Sequence, residues 1–248
     1  MRISSRLVPL ATLSLLGLVA CGTDEPGASS TPTPPSATLD ASVIQEALDR
    51  SLESTAVITA TVHSGPVDIT ISGAVDPATD TLQIAMTGPA PVEVIGVDGM
   101  LYVQFEGPNG EPWMQLELDR LRPESQLRGG LDIRGQAGIV AGIVTVEQVG
   151  PGTYEGVADL NQAAAAADES QRAALTNAAS TAENADSVPY EATIDDQGRL
   201  TRLFYTIETA AGPNETELLL SNFGEPVQVE APPADEVWEA TDDMYELL

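Results

Sequence analysis

The chain has 248 residues, with 38 acidic side chains against 10 arginines and no lysine, and a formal charge of -28. A surface of that sign repels phosphate backbones and anionic headgroups, which argues against nucleic acid as a partner. One cysteine and one histidine exclude an intramolecular disulfide and leave too few soft or imidazole ligands for a zinc centre.

Arg2 and Arg6 precede an apolar run from Leu7 to Ala20, the plan of a secretory signal over residues 1–20. The run is too short to span a bilayer as a mature helix. The lone cysteine, Cys21, stands at its end. As a nucleophile it would want a base, and as a metal ligand it would want partners that the chain scarcely offers. The stretch Leu18-Val19-Ala20-Cys21 resembles the lipobox of bacterial lipoproteins, in which cleavage leaves an acylated cysteine at the N-terminus. An ordinary secretory peptide cleaved nearby would leave an unpaired thiol instead. The lipobox reading predicts a protein anchored to the cell membrane on its extracytoplasmic face, lipidated at Cys21. With so acidic a surface, the anchor must bind without electrostatic help.

Residues 21–39 comprise that cysteine and a Pro, Ser, Thr and Gly-rich segment with too little apolar area to repay ordering. They read as a disordered tether, followed by one domain over 40–237. Asp40 is placed as an N-cap, and Val43, Ile44, Ala47, Leu48 and Leu52 recur at helical spacing, which predicts a helix from Asp40 to Glu53. From Ala56 the period changes to two. Strands are expected around 56–63, 67–75, 82–87, 92–97, 101–105 and 113–118, joined by the turns "DPATD", "VDG" and "EGPNGEP". Residues 119–142 have no clear period and read as a short helix and a loop without a firm boundary. A hairpin is expected over 143–160, then an alanine-rich helix near 161–184 capped by Asp159 or Asn161. Strands return over 188–233, with turns at Asp195–Gly198 and Gly212–Asn214. Residues 238–248 form an acidic tail.

The chain has no nucleophile elbow, phosphate loop or dinucleotide fingerprint. "IDDQGR" at 194–199 lacks the spaced acids of a calcium loop and reads as a hairpin turn. His63, at a strand end without a nearby partner in sequence, reads as a surface or turn residue. No cofactor, no metal and no catalytic residue is expected, although 38 acids make accidental pairs easy to draw.

"VDGMLYVQFEGPNGEPWMQLEL" at 97–118, "YEGVADL" before the alanine-rich helix, "IDDQGRLTRLFYTIE" at 194–208 and "LLLSNFGEPVQVEAPPADEV" at 218–237 occur in this order behind the lipobox. As an ordered set they resemble the LppX/LprAFG family of actinobacterial lipoproteins. The resemblance implies an α+β fold, a half-open antiparallel β-barrel or curved sheet with helices covering its concave face, similar to the LolA and LolB carriers. It also implies a non-enzymatic protein with a hydrophobic cavity for the acyl chains of lipids or acylated glycolipids. Such a protein moves its ligand within the cell envelope, in company with a membrane lipid exporter. Strand alternation nominates Ile69, Ile71, Leu82, Ile84, Met86, Val94, Leu101 and Val103 as the cavity wall, subject to register, since a slip of one residue exchanges the two faces. The alternative is an envelope interaction or sensor lipoprotein of the same fold with a filled core.

Overall fold

In the structure, a computed structural model, residues 38–105, 112–122, 125, 127 and 137–247 are described. Cys21, the signal segment and nearly all of the tether lie outside the described residues, as do most of the "EGPNGEP" turn and much of 119–142.

The period-two segments become strands of one 13-stranded sheet. The first meander comprises β2 (Ala56–Ser64), β3 (Val67–Asp76), β4 (Thr81–Thr87), β5 (Val92–Val97), β6 (Met100–Phe105) and β7 (Trp113–Glu117). The second comprises β8 (Ile143–Gly150), β9 (Thr153–Ala158), β10 (Val188–Ile194), β11 (Leu200–Thr209) and β12 (Gly212–Ser221). β12 pairs antiparallel with β2 and fuses the two. The short strands β1 (Thr38–Leu39) and β13 (Val237–Glu239) end the sheet against β8 and β7, so it stays unclosed. All pairings are antiparallel except that of β13 with β7.

At two places in the sheet, glycine lets neighbouring backbones approach closely. A Cβ at Gly73 would sit 2.1 Å from the Gln83 carbonyl oxygen, and one at Gly156 would sit 1.9 Å from that of Thr145. Only a residue without a side chain fits either place.

Helices lie on one face, termed the inner face. α1 (Ser42–Ser51) is shorter than the sequence suggests, and the Asp40 carboxylate accepts the Ser42 N–H at 2.9 Å. Its Ile44, Ala47 and Leu48 are buried, and the Ser51 hydroxyl sits 2.9 Å from the carbonyl oxygens of both Ala47 and Leu200. These residues join Ala56, Ile58, Ala60, Leu200, Leu203, Leu218 and Leu220 from the sheet, and Ile139 and Val140 from a 3-10 turn, in the larger core cluster. Each fully buried leucine there contributes about 1.5–3 kcal/mol. A second cluster forms at the far end of the same face, with Val94, Leu101, Val103, Met114, Leu116 and Leu121.

The single alanine-rich helix expected over 161–184 is instead two helices, α2 (Leu160–Ala166) and α3 (Glu169–Thr181). Ala167 is extended, with φ -66° and ψ 150°. The Asp168 carboxylate then accepts the Gln171 N–H and starts the second helix. A carboxylate that can cap competes with helix continuation, whatever the alanines around it prefer. Asp159, rather than Asn161, caps α2 by accepting the N–H groups of Asn161 and Gln162.

Both ends of the described domain extend past the bounds read from sequence. Thr38 and Leu39, assigned to the tether, pair with Glu147 and Val146. In the acidic tail, Trp238 and Glu239 pair with Met114 and Gln115, and α4 (Asp242–Leu247) follows. Tyr245 is buried in the second cluster. Its hydroxyl accepts the Glu117 N–H at 2.8 Å, and the Arg120 guanidinium lies 4.0 Å from its ring centre.

Candidate functional site: the inner face of the sheet

In-register partners share a face of a sheet, so the ladders assign every nominated residue. One row runs Leu203, Leu218, Ala60, Ile71, Met86, Val92 and Phe105 across neighbouring strands. The next runs Ile58, Gly73, Ile84, Val94, Val103 and Met114. A third joins Val75, Leu82, Gly96, Leu101 and Leu116, while Ile69 opposes Val62. All eight nominated residues therefore lie on the inner face, with the core.

They differ in what covers them. Val94, Leu101 and Val103 are buried in the second cluster, at 5%, 1% and 1% exposure. Ile71 packs against the larger cluster, and Leu82 touches both. Ile69, Ile84 and Met86 are only partly buried and belong to neither cluster. They form an apolar stripe along β3 and β4, between two packed regions, and Phe105 at the end of the Met86 row is 54% exposed.

Strand alternation in the first meander found these positions, but the second meander supplies as much of the face. Tyr190 and Ala192 on β10, Leu203 on β11 and Leu218 on β12 are buried there. The alternation of Val188, Tyr190 and Ala192 was the available signal. The Tyr190 hydroxyl donates to the Thr145 carbonyl at 3.0 Å, and burial pushes its pKa up, which keeps the phenol neutral.

The opposite, outer face has a groove of about 680 Å³ over β8 to β11. Thr145, Glu147, Glu155, Val157, Glu191 and Phe204 line it, with the register parity opposite to the core residues. Arg202 bridges Glu191 at 3.1 Å and Glu217 at 2.7 Å beside it. The groove is thus acidic and lies away from the apolar stripe.

The "IDDQGR" segment is the β10–β11 turn. Burial pushes the Asp195 carboxyl up, but the N–H groups of Arg199 and Gln197 and the Arg199 guanidinium outweigh it, so its pKa is lowered. The guanidinium reaches Asp195 at 2.7 and 2.8 Å and stacks 4.2 Å from the Phe223 ring centre. Among the described residues no group of three or more His, Cys, Asp or Glu is placed to hold a metal ion. No helix among them is long and apolar enough to cross a membrane.

His63 does have a partner, contrary to the sequence reading. The β2–β3 hairpin sets Asp68 opposite it, with Nδ1 2.7 Å from Oδ1. The hydrogen bond to Asp68 raises the imidazole pKa above 6.5, with Glu215 and Glu217 adding to it across β12. A raised folded-state pKa stabilises the fold below the unfolded value of about 6.5 and loses that contribution as pH rises through the folded value. An NMR titration of the His63 ring should give a midpoint above 6.5 that falls towards it in Asp68→Asn; an unchanged midpoint would remove Asp68 as the cause.

No protein-family model matches the chain, and no curated protein matches it. Among solved structures, the crystal structure of the lipoprotein LppX of Mycobacterium tuberculosis is similar to it, with a TM-score of 0.42 and 13% sequence identity. The match covers 77% of this chain and 97% of that one.

Proposed function

We propose that the chain is a membrane-tethered, extracytoplasmic lipoprotein that receives acyl chains of lipids or acylated glycolipids on the inner face of its curved sheet and carries them within the cell envelope. Ile69, Ile84 and Met86 carry this reading: an apolar stripe, on the face that elsewhere forms the core, packed into neither cluster. Leaving apolar surface in water forgoes about 25 cal/mol per Å². Val144, Val149, Leu219 and Trp238 are exposed on other strands, whereas Ile69, Ile84 and Met86 share the face that forms the core, where an acyl chain would cover them. Acylated Cys21 would hold the domain at the membrane, and a membrane lipid exporter would be the partner that supplies or accepts the ligand.

A second reading, an envelope interaction or sensor lipoprotein with a filled core, draws on the close packing of Val94, Leu101 and Val103. Mass spectrometry of small molecules co-purified with the native lipoprotein separates the two. Carriage predicts a lipid at near-stoichiometric amount. Repeated recovery of lipid-free protein from intact membranes would favour the filled core.

A further inference from the structure

We propose that the outer-face groove over β8 to β11 is a docking site for an arginine-bearing segment of another protein. At about 680 Å³ the groove falls within the ~300–1,000 Å³ of ligand-sized clefts. Two neighbouring register rows form it. In one, Glu147 on β8 opposes Glu155 on β9, Glu155 opposes Glu191 on β10, and Glu191 opposes Phe204 on β11. In the next, Thr145 opposes Val157 and Val157 opposes Pro189, with Thr206 beside them. The groove therefore has one anionic wall and one uncharged, partly apolar wall. A free polyamine would satisfy only the first, whereas a segment that alternates arginine with apolar residues satisfies both.

Like charges directly opposite one another destabilise a sheet. At one end of the anionic row the chain supplies its own relief. The Arg202 guanidinium lies 5.3 Å from the Phe204 ring centre and reaches Glu191 at 3.1 Å and Glu217 at 2.7 Å, the two carboxylates that flank Phe204 in the row. Glu147 and Glu155 are exposed and, among the described residues, neither hydrogen-bonds nor pairs with a cation. Directly opposite residues hold their Cβ atoms about 4.5–5.5 Å apart, a span that one guanidinium fork covers. A partner's arginine thus does at Glu147 and Glu155 what Arg202 does at Glu191 and Glu217. The groove lies on the face opposite the core, so a docked segment leaves the inner face free.

A chain of charge -28 draws in any cation, so the test compares places on the surface. The full chain, in non-ionic detergent, is titrated against fluorescent peptides of alternating arginine and valine, or of alternating glutamine and valine, and binding is read by anisotropy. The arginine peptide should bind about tenfold tighter than the glutamine peptide at low salt, and the gap should narrow as salt screens the charges. Glu147→Gln with Glu155→Gln should weaken the arginine peptide about tenfold. Asp235→Asn with Glu236→Gln removes the same charge from exposed positions beside β13, at the opposite edge of the sheet, and should change binding by less than about twofold. Equal loss in the two double variants would reduce the binding to the general field of the chain and overturn the proposal. Equal binding of the two peptides would do the same, as would displacement of the arginine peptide by an equal concentration of free spermidine.

Discussion

Ile84→Trp should abolish lipid uptake while leaving thermal stability nearly unchanged, and Ile71→Trp, one register row away on the same face, should unfold several degrees early. Ile71 packs against the larger cluster, opposite the buried Ala60. A larger ring there overpacks a filled site and costs about 1–3 kcal/mol. In a domain near 200 residues each kcal/mol moves the midpoint by roughly 2–4 °C. Ile84 lies between Gly73 and Val94 in register, is partly exposed and belongs to neither cluster. An indole at that position extends into space that the acyl chain would otherwise fill. The measurement is a pair: thermal unfolding of the lipid-free protein, and uptake of a labelled diacyl lipid by the parent and both variants. Early unfolding of Ile84→Trp, from a parent that takes up no lipid, would replace the carrier by an interaction protein with a filled core.

That contrast also marks how far the sequence could be read. Alternation of apolar and polar residues placed Ile69, Ile71, Leu82, Ile84 and Met86 on one face, because a half-buried strand has a period of two and its ladder must match its neighbours'. It could not tell Ile71, which is packed, from Ile84, which is not. That difference depends on what packs against each part of the face: Ile71 lies against the larger cluster, and Ile84 lies in neither. The break at Ala167 was missed because alanine's high helix propensity masked Asp168, an N-cap inside an otherwise continuous helical run. The C-terminal segment read as an acidic tail because charge dominates its composition, yet Tyr245, with Ala240 and Met244 packed on the second cluster and β13 paired with β7, docks it. His63 seemed partnerless when judged by neighbours in sequence, although a turn at Gly65 and Pro66 returns the chain to place Asp68 directly across the ladder.

Cys21→Ala should abolish acylation and release the protein from the membrane, while lipid uptake by the domain persists in the soluble form. No other thiol exists in the 248 residues to take the lipid. Two or three acyl chains, at about 0.8 kcal/mol per buried CH2, give stable anchoring, whereas a single chain holds only marginally. Nothing else on the surface can substitute, because a charge of -28 repels the anionic leaflet that a basic patch would grip. The experiment follows a metabolically supplied fatty-acid label and the partition of the protein between membrane and soluble fractions. Undiminished labelling of Cys21→Ala would end the lipobox reading. Loss of label with continued membrane retention would instead assign the anchor to an uncleaved Leu7–Ala20 segment. Uptake divides the outcomes again. A released protein that still takes up lipid separates the tether from the binding face, as expected if the stripe at Ile69, Ile84 and Met86 belongs to a domain that folds without its anchor. A released protein that has lost uptake would mean that the acyl chains on Cys21 themselves help to form the site.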